Sequence, residues 1–323
     1  MTDACVETAA AVEPLPVIRA AEITLTAPAR RWLVEGLWTR GGVGILGGPP
    51  KCAKSWLALD VALSVATGTA CLDTFEVLEP GEVLLIMAED APEIVRARLD
   101  SICTHRRLAL ESVPVHLVLA HALRLDLERD RDRLRETIAQ IKPRLLVLDP
   151  FVRLHRIEEN HAGDVSGLLG WLRTLSREHD LAILVVHHAR KNGATGAQAG
   201  QALRGSGDFH AWGDDNLYVR RKGERIVLGI EHRAAAAPEP LALMLADRGS
   251  ATHLDIVDAT SDVSTPARDL DSAILAALSP EPMLRTRLRG VLRIRNETLG
   301  NALRRPENER RVRRIRSTDH VIA

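Results

Sequence analysis

The sequence predicts an α/β protein in which helices cover a mainly parallel central sheet with antiparallel edge strands, followed by a small, mostly helical C-terminal domain. Five apolar runs between residues 42 and 187 alternate with amphipathic helical stretches. Near-continuous apolar runs are typical of strands that are covered on both faces. Three later runs, at 216–221, 225–233 and 241–246, have no helical pattern between them. Runs joined in this way indicate antiparallel strands that extend one edge of the sheet.

The parallel strands are expected at GVGILG (42–47), VLLIMA (83–88), VHLVLA (115–120), RLLVLD (144–149) and LAILVVH (181–187). Residues 1–21 lack hydrophobic periodicity, and we expect a flexible tail there. A polar stretch, SDVST, follows the last strand-like run. We therefore expect an α/β domain over 22–262 and a second domain over 263–323.

Composition excludes several classes of protein. The 43 basic and 43 acidic residues balance, so the chain as a whole has no field that would attract nucleic acid. No apolar run is long enough to span a bilayer, and no secretory leader opens the chain. The four cysteines have no CxxC spacing, which argues against a zinc site or a disulfide framework. We expect a cytoplasmic protein.

A glycine-rich loop follows the first strand and carries the main chemical signal. Counted from Gly48, the pattern is G-x-x-x-x-A-K-S, a P-loop with Ala53 where the last glycine usually stands. Such a loop wraps backbone N–H groups around a β-phosphate at the start of a helix. Lys54 is then expected to reach the β- and γ-phosphate oxygens and Ser55 to bind Mg²⁺. The proposed nucleotide-binding residues are Gly47, Gly48, Pro49, Pro50, Lys51, Cys52, Ala53, Lys54, Ser55 and Trp56.

Two features of the loop qualify this prediction. A Gly/Pro connection between a strand and a helix could have the same composition without binding a nucleotide. The Cβ of Ala53 can be accommodated in the turn if its φ stays negative.

The use of Lys supports phosphate binding, because the chain has 38 Arg and only five Lys, and two of these lie within four residues.

Acidic residues follow two of the predicted strands. Asp149 ends RLLVLD, where a Walker-B carboxylate would hold Mg²⁺ through water. Glu89 and Asp90 follow VLLIMA at the carboxyl end of another strand, where ligands bind in such sheets. A carboxylate there can polarise an attacking water. Alternatively, these residues cap the following helix, and Asp90 fits that cap better than Glu89.

Polar and basic residues follow the fifth strand. His187 and His188 end the strand, where a side chain can contact a γ-phosphate; the alternative is one core and one surface histidine. The loop 189–200 is rich in Gly and Ala and carries Arg190 and Lys191. These two cations are candidates for contacts with a nucleic-acid backbone.

Six segments in order resemble the RecA-like ATPases related to plasmid RepA-type hexameric replicative helicases, which carry an AAA-type domain. They are GGPPKCAKSWLALDVA, MAEDAPEIVRARL, LLVLDPFVRLH, VVHHARK, LRGSGDFHAWGDDNLYV and EHRAAAAPEP, and they span about residues 22–250. The resemblance implies a RecA-like P-loop NTPase core that binds ATP and Mg²⁺ and assembles as a homo-oligomeric ring, a hexamer being favoured. It also implies DNA, single- or double-stranded, as the partner.

The resemblance also implies catalytic roles. Glu89 would be the general base, Asp149 the magnesium carboxylate, and His188, with His187 as the alternative, the γ-phosphate sensor. Arg233 would be an arginine finger that acts on a neighbouring subunit's nucleotide, and Arg204 is a second candidate for that phosphate. The chain departs from the family pattern at Ala53 and at Glu231, where some relatives carry a second cation.

The C-terminal segment is basic. Residues 265–323 contain 13 Arg, no Lys and seven acidic residues, a net charge of +6. The pattern predicts three short helices and a basic hairpin, the order of a winged helix, with Leu299 and Leu303 facing the core. The candidate DNA contacts are Asn296, Thr298, Arg304, Arg305, Arg310, Arg311, Arg313 and Arg314. The alternative is an Arg-rich helical appendage that packs on the larger domain or mediates assembly.

These observations favour an ATP-dependent DNA motor or helicase loader. A RecA-like recombination or repair accessory that forms open filaments is a second reading. A nucleotide-gated DNA-binding regulator with negligible turnover is a third. A metabolic P-loop kinase fits less well, because the sequence has no lid-like arginine cluster and a kinase has no use for the basic C-terminal segment.

Overall fold

The computed structural model describes residues 15, 17–24, 31–119, 123–157, 162–188, 208–249 and 251–258. Toward the C-terminus it describes residues 274–275, 277–278, 283–292, 299, 303, 312–315 and 320–322. The chain divides into two compact units, 1–257 and 258–323. Among the described residues, no helix is both long and apolar enough to cross a membrane.

The first unit contains a small hairpin, a large sheet and helices. The strands described in it are β1 (Trp32–Val34), β2 (Trp38–Thr39), β3 (Val43–Gly48), β4 (Val83–Met87), β5 (Val115–Leu117), β6 (Leu145–Asp149), β7 (Ala182–His188), β8 (Asp215–Lys222), β9 (Arg225–His232), β10 (Leu241–Arg248) and β11 (Ala251–Val257). The helices described in it are α1 (Lys54–Thr67), α2 (Pro92–Arg106), α3 (Glu128–Ile141), α4 (Ala162–His179) and α5 (Asp208–Trp212).

The described strands of the large sheet lie in the order β11-β10-β9-β8-β3-β7-β6-β4-β5. The strands from β8 to β5 pair in parallel, while β8–β9, β9–β10 and β10–β11 pair antiparallel. The predicted α/β class is therefore confirmed, with a mainly parallel sheet and antiparallel strands at one edge. The sequence reasoning missed β11 and the β1–β2 hairpin.

Two hydrophobic layers explain why the parallel strands are apolar on both faces. Leu46, Leu85 and Val147 belong to one buried cluster, together with residues of α1 and α2. Ile45 and Leu148 belong to a second cluster with residues of α3 and α4. Alternate residues of each strand therefore enter different cores, and neither face is left for water.

A glycine allows β3 to lie against its neighbour β8. A Cβ on Gly44 would lie 1.6 Å from the backbone oxygen of Asp215, which is far inside contact distance. No side chain larger than hydrogen fits there. This close approach fixes the strand that leads into the P-loop.

The C-terminal unit contains described segments of a small mixed domain. These are β12 (Met283–Leu284), α6 (Arg285–Leu292), β13 (Arg313–Ile315) and β14 (His320–Ile322). The strands form an antiparallel sheet in the order β12-β14-β13. Leu299 and Leu303 are fully buried in its core, together with Leu288 and Val312, as the sequence predicts.

Candidate nucleotide-binding site

The P-loop, His188, Asp149 and Glu89 gather at the edge of the sheet formed by the carboxyl ends of the parallel strands. Gly48, at the end of β3, pairs with His188 at the end of β7. Asp149 ends β6, which lies beside β7, and pairs with Met87 at the end of β4. Glu89 follows β4 after one residue, Ala88. The carboxyl ends of parallel strands meet at the same edge, so P-loop, histidine and carboxylates share one crevice.

The P-loop joins β3 to α1 through two residues in the left-handed region. Lys51 has φ 63°, and Ala53, the residue before the first turn of α1, has φ 59° and ψ 27°. The condition under which the Cβ of Ala53 would be accommodated, a negative φ, is therefore not met. The loop needs this turn to aim its N–H groups, and only glycine adopts it without a Cβ penalty.

Lys54 is folded into the loop that carries it. Its side chain is buried, and its Nζ donates hydrogen bonds to the backbone oxygens of Gly48 at 2.9 Å and Pro49 at 2.8 Å. Burial lowers the pKa of Lys54, and the nearby Asp149 and Glu89 oppose this effect. Two neutral carbonyls hold the ammonium group, which phosphate oxygens would bind more strongly.

Asp149 presents a buried carboxylate beside the start of α1. Its Oδ2 is buried and has no hydrogen-bond partner among the described residues. Burial raises the pKa of Asp149 to about 6, while a hydrogen bond from Ser55 and the charge of Lys54 oppose the rise. The carboxyl group is therefore mainly ionised at neutral pH. An unpartnered carboxylate oxygen next to a serine hydroxyl suits an oxygen-binding cation such as Mg²⁺.

Glu89 and Asp90 each pair with an arginine. Glu89 Oε1 lies 2.9 Å from Nη2 of Arg153, and about half of each side chain is exposed. Asp90 Oδ2 lies 2.5 Å from Nη1 of Arg98. The alternative interpretation, in which Asp90 caps the next helix, is wrong, because Ala91 is the N-cap of α2 and no side chain at that position accepts a hydrogen bond from the first turn. The charge of Arg98 holds Asp90 in the crevice instead.

A cavity of about 350 Å³ opens beside Glu89. Its walls come from the ends of β4 and β5 and from the segment after β6, and they include Asp90, Leu117, Arg153 and Leu154. Glu89 therefore lies at the border between the carboxyl edge of the sheet and open space that water can enter.

The two histidines of β7 face different surroundings. His187 is 1% exposed and stacks on Phe209, with ring centroids 4.4 Å apart, so it belongs to the core. His188 is partly exposed, and burial together with the charge of Lys54 lowers its pKa. It is therefore neutral near pH 7. Of the pair, His188 lies in the crevice.

Arg233 lies at the opposite edge of the sheet. It follows β9, whose last residue, His232, pairs with Asp215, and Asp215 pairs with Gly44. Gly44 precedes Gly48 by four residues, roughly 13 Å along a strand. Nη1 of Arg233 lies 3.3 Å from Asp214 Oδ1, and half of the side chain is exposed. The guanidinium group does not share a crevice with the P-loop of its own chain.

Several predicted residues lie outside the described ones: Arg190, Lys191, Arg204, Asn296, Thr298, Arg304, Arg305, Arg310 and Arg311. Arg313 and Arg314 lie on β13, but their side chains are likewise outside the description. The roles of these residues stay predictions.

The sequence reasoning missed the two arginines that hold the acidic residues. Arg98 also lies over the ring of Trp56 at 5.8 Å, so it links α2 to the first turn of α1. The only signal for Arg98 was its position eight residues after Asp90. Arg153 lies within LLVLDPFVRLH, but the pattern of strands does not indicate that it forms an ion pair with Glu89.

Comparison with known proteins agrees with this geometry. The family described as AAA domain matches residues 8–194. The chain is similar to the crystal structure of a RadB recombinase, with a TM-score of 0.50 and 19% identity, over 68% of this chain and 92% of that one. It is also similar to a DnaB-like replicative helicase, with a TM-score of 0.51 and 13% identity, over 66% of this chain and 57% of that one. These likenesses confirm the RecA-like fold.

The left-handed Ala53 gives a first prediction. Ala53→Gly should raise the free energy of unfolding by about 0.5–1 kcal/mol, because the relief of a cost of about 1–2 kcal/mol exceeds the entropy that glycine adds to the unfolded chain. The control Ala62→Gly, inside α1, should lower it by about 1 kcal/mol. Urea unfolding measures both. A loss of stability in Ala53→Gly would contradict the loop geometry.

Proposed function

This chain belongs to the AAA-domain family and is a RecA-like P-loop ATPase, and from that premise we propose that it uses MgATP to act on DNA as a RepA-type replicative motor or helicase loader. The observation that carries the proposal is the crevice in which Lys54 and Ser55 meet Asp149, whose Oδ2 has no hydrogen-bond partner in the described part of the chain. These groups match the parts that ATP hydrolysis needs: a phosphate-binding cation, a hydroxyl ligand and a magnesium carboxylate.

The P-loop residues have complementary roles in this proposal. The backbone N–H groups of residues 51–55 would surround the β-phosphate, since Pro49 and Pro50 have none, and Lys54 would exchange its two carbonyl partners for phosphate oxygens. Ser55 and Asp149 would hold Mg²⁺, which would neutralise charge on the phosphates. Because the pKa of Asp149 is about 6, its capacity to hold Mg²⁺ should decline below that pH.

The remaining residues complete the reaction. Glu89 orients the attacking water and accepts its proton, since it borders the cavity and lies next to the site. Arg153 competes for that carboxylate, so the ion pair with Glu89 must loosen for the proton to be accepted. His188, neutral and next to Gly48, donates a hydrogen bond to the γ-phosphate and transmits its loss to the segment after β7.

Arg233 supports an assembly with shared sites. It is half exposed at the edge opposite its own P-loop, and Asp214 orients it. A guanidinium group in that position can serve a nucleotide bound by another chain. We therefore propose a homo-oligomeric ring, a hexamer by the family resemblance, in which Arg233 stabilises the transition-state charge in trans.

The C-terminal unit supports a DNA-binding role. The described segments follow the order strand, helix, buried Leu299 and Leu303, and an antiparallel hairpin, which is compatible with a winged helix. From Met283 onward the chain has 12 Arg and four acidic residues. The arginines of the predicted hairpin would contact the DNA backbone; these are Arg310, Arg311, Arg313 and Arg314. Asn296 and Thr298 would contact base edges.

A second function deserves a separate test. The chain covers 92% of a RadB recombinase but only 57% of a DnaB-like helicase. This supports a RecA-like recombination or repair accessory ATPase that forms open filaments on DNA instead of a ring.

The proposed function predicts an ATPase that DNA stimulates. Glu89→Gln should leave ATP binding intact and lower the stimulated rate by about 100-fold or more, because the general base is lost. Asp90→Asn, its matched neighbour, should have a much smaller effect on the rate. Phosphate release measured with and without DNA checks this, and a strand-displacement assay separates a motor from an accessory. A larger loss in Asp90→Asn than in Glu89→Gln would refute the assignment of the base.

Arg233 gives a further prediction. Arg233→Ala should lower kcat by about 1000-fold while ATP affinity is kept, because the finger acts on the transition state. When Arg233→Ala protein is mixed with Lys54→Ala protein, the ATPase rate should partly recover. Some interfaces then combine the intact nucleotide site of one chain with the intact Arg233 of the other. The rate of each mixture is compared with the rates of the separate variants. No recovery in mixtures shown to co-assemble would contradict a shared site.

A further inference from the structure

A cluster of two histidines and a carboxylate lies away from the nucleotide crevice. His105 is the next-to-last residue of α2, while His253 and Asp255 lie on β11. α2 begins beside the crevice and runs for 15 residues, about 21 Å, before it ends at Arg106. The cluster is therefore separate from the groups assigned to ATP.

The cluster is compact and partly dry. His253 is 1% exposed, and its ring stacks on that of His105 with centroids 3.4 Å apart and planes inclined by 13°. One potential ligand atom from each of the three residues lies within 4.8 Å of the other two. His253 Nε2 is 2.8 Å from Asp255 Oδ1, yet it has no hydrogen bond among the described residues. A buried nitrogen and a carboxylate oxygen thus lie side by side without hydrogen-bond geometry.

We propose that His105, His253 and Asp255 bind a divalent transition-metal ion of the Zn²⁺ class. Two imidazole nitrogens and one carboxylate oxygen are ligands that zinc accepts, with bonds of about 2.0–2.2 Å. In a tetrahedral site the ligand atoms lie about 3.4 Å apart, and each imidazole binds the ion in its ring plane. The rings of His105 and His253 must therefore turn out of their stacked arrangement when the ion binds. An ion takes up the lone pair of His253 Nε2 and the facing oxygen of Asp255 together.

Neighbouring residues hold these ligands in place. Asp73 Oδ2 lies 3.0 Å from Nε2 of His105, so a carboxylate stands against the ring of this ligand. A carboxylate in this position fixes the tautomer and orientation of a ligating imidazole. Arg248 lies 2.8 Å from Oδ2 of Asp255, which leaves Oδ1 facing His253.

The position of the cluster indicates what the ion does. β10 pairs with β9 only over Leu241–Leu243, whereas it pairs with β11 over the whole length to Arg248. The outer part of this hairpin therefore extends beyond the sheet and rests on α2. Ser101 and Thr252 exchange hydrogen bonds there, at 3.0 and 2.5 Å. An ion shared by α2 and β11 would clamp the hairpin to the body of the domain.

Zinc binding by the full-length, chelator-treated protein tests the proposal. Zn²⁺ is titrated against a chromophoric chelator, and the thermal unfolding midpoint is followed with and without Zn²⁺. Variants His105→Gln and Asp255→Asn are compared with His116→Gln, a control in which an exposed histidine lies 2.6 Å from Glu82. The two variant side chains are each about one-fifth exposed, which favours folding of the variants over replacement of the buried His253.

The wild type and His116→Gln should each bind one equivalent of Zn²⁺ and unfold at a higher temperature with it. His105→Gln and Asp255→Asn should bind Zn²⁺ at least about 100-fold more weakly, and Asp73→Asn about 10- to 100-fold more weakly. Co²⁺ in the wild-type site should give the strong visible absorption of a tetrahedral ion. Absence of stoichiometric Zn²⁺ binding, or equal affinity in folded ligand variants and wild type, would overturn the proposal.

Discussion

The burial of two opposite charges at one edge of the sheet is the constraint on which the candidate site depends. Lys54 and Asp149 are each 5% exposed, where an unpaired charge would be costly. Backbone oxygens of the P-loop hold the ammonium group, and Ser55 holds one side of the carboxylate. One oxygen of Asp149 stays unpartnered among the described residues. The same contacts that make the empty crevice stable thus leave it prepared for phosphate and a cation.

The positions of the parallel strands along the chain could be predicted because both faces of the sheet are buried. Alternating entry into two cores makes each parallel strand an apolar run, so the sequence alone located β3, β4, β6 and β7 and the acids at their ends. β11 was missed because it carries His253 and Asp255, and no apolar run marks it. The spacing of the cysteines argued against a zinc site, but it says nothing about sites built from histidines. His105 and His253 are 148 positions apart in the sequence, and only the fold brings them together.

Side-chain partners were harder to predict than positions. Aspartate is a residue type that often caps helices, but Asp90 lies close enough to Arg98 to form an ion pair. An ion pair between two charged groups is stronger than a single cap hydrogen bond. Ala53 lies in a left-handed conformation that its residue type disfavours. The geometry of the P-loop overrides the local preference, because the hydrogen bonds of Lys54 and the start of α1 depend on that turn. The position of Arg233 at the edge opposite the P-loop follows from the register of β9 against β8 and β3, which the sequence alone does not give.

ATP binding by Lys54→Ala tests the central claim most directly, because this lysine occupies the buried crevice and no other described cation replaces it there. Calorimetric titration with MgATP compares the wild type, Lys54→Ala and the control Lys142→Ala. Lys142 is the C-cap of α3 and is not one of the residues assigned to the nucleotide site. Loss of two charge-assisted hydrogen bonds should weaken binding by about 100-fold or more in Lys54→Ala, and Lys142→Ala should match the wild type. Equal MgATP affinity in a folded Lys54→Ala protein would contradict the assignment of the crevice as the nucleotide site.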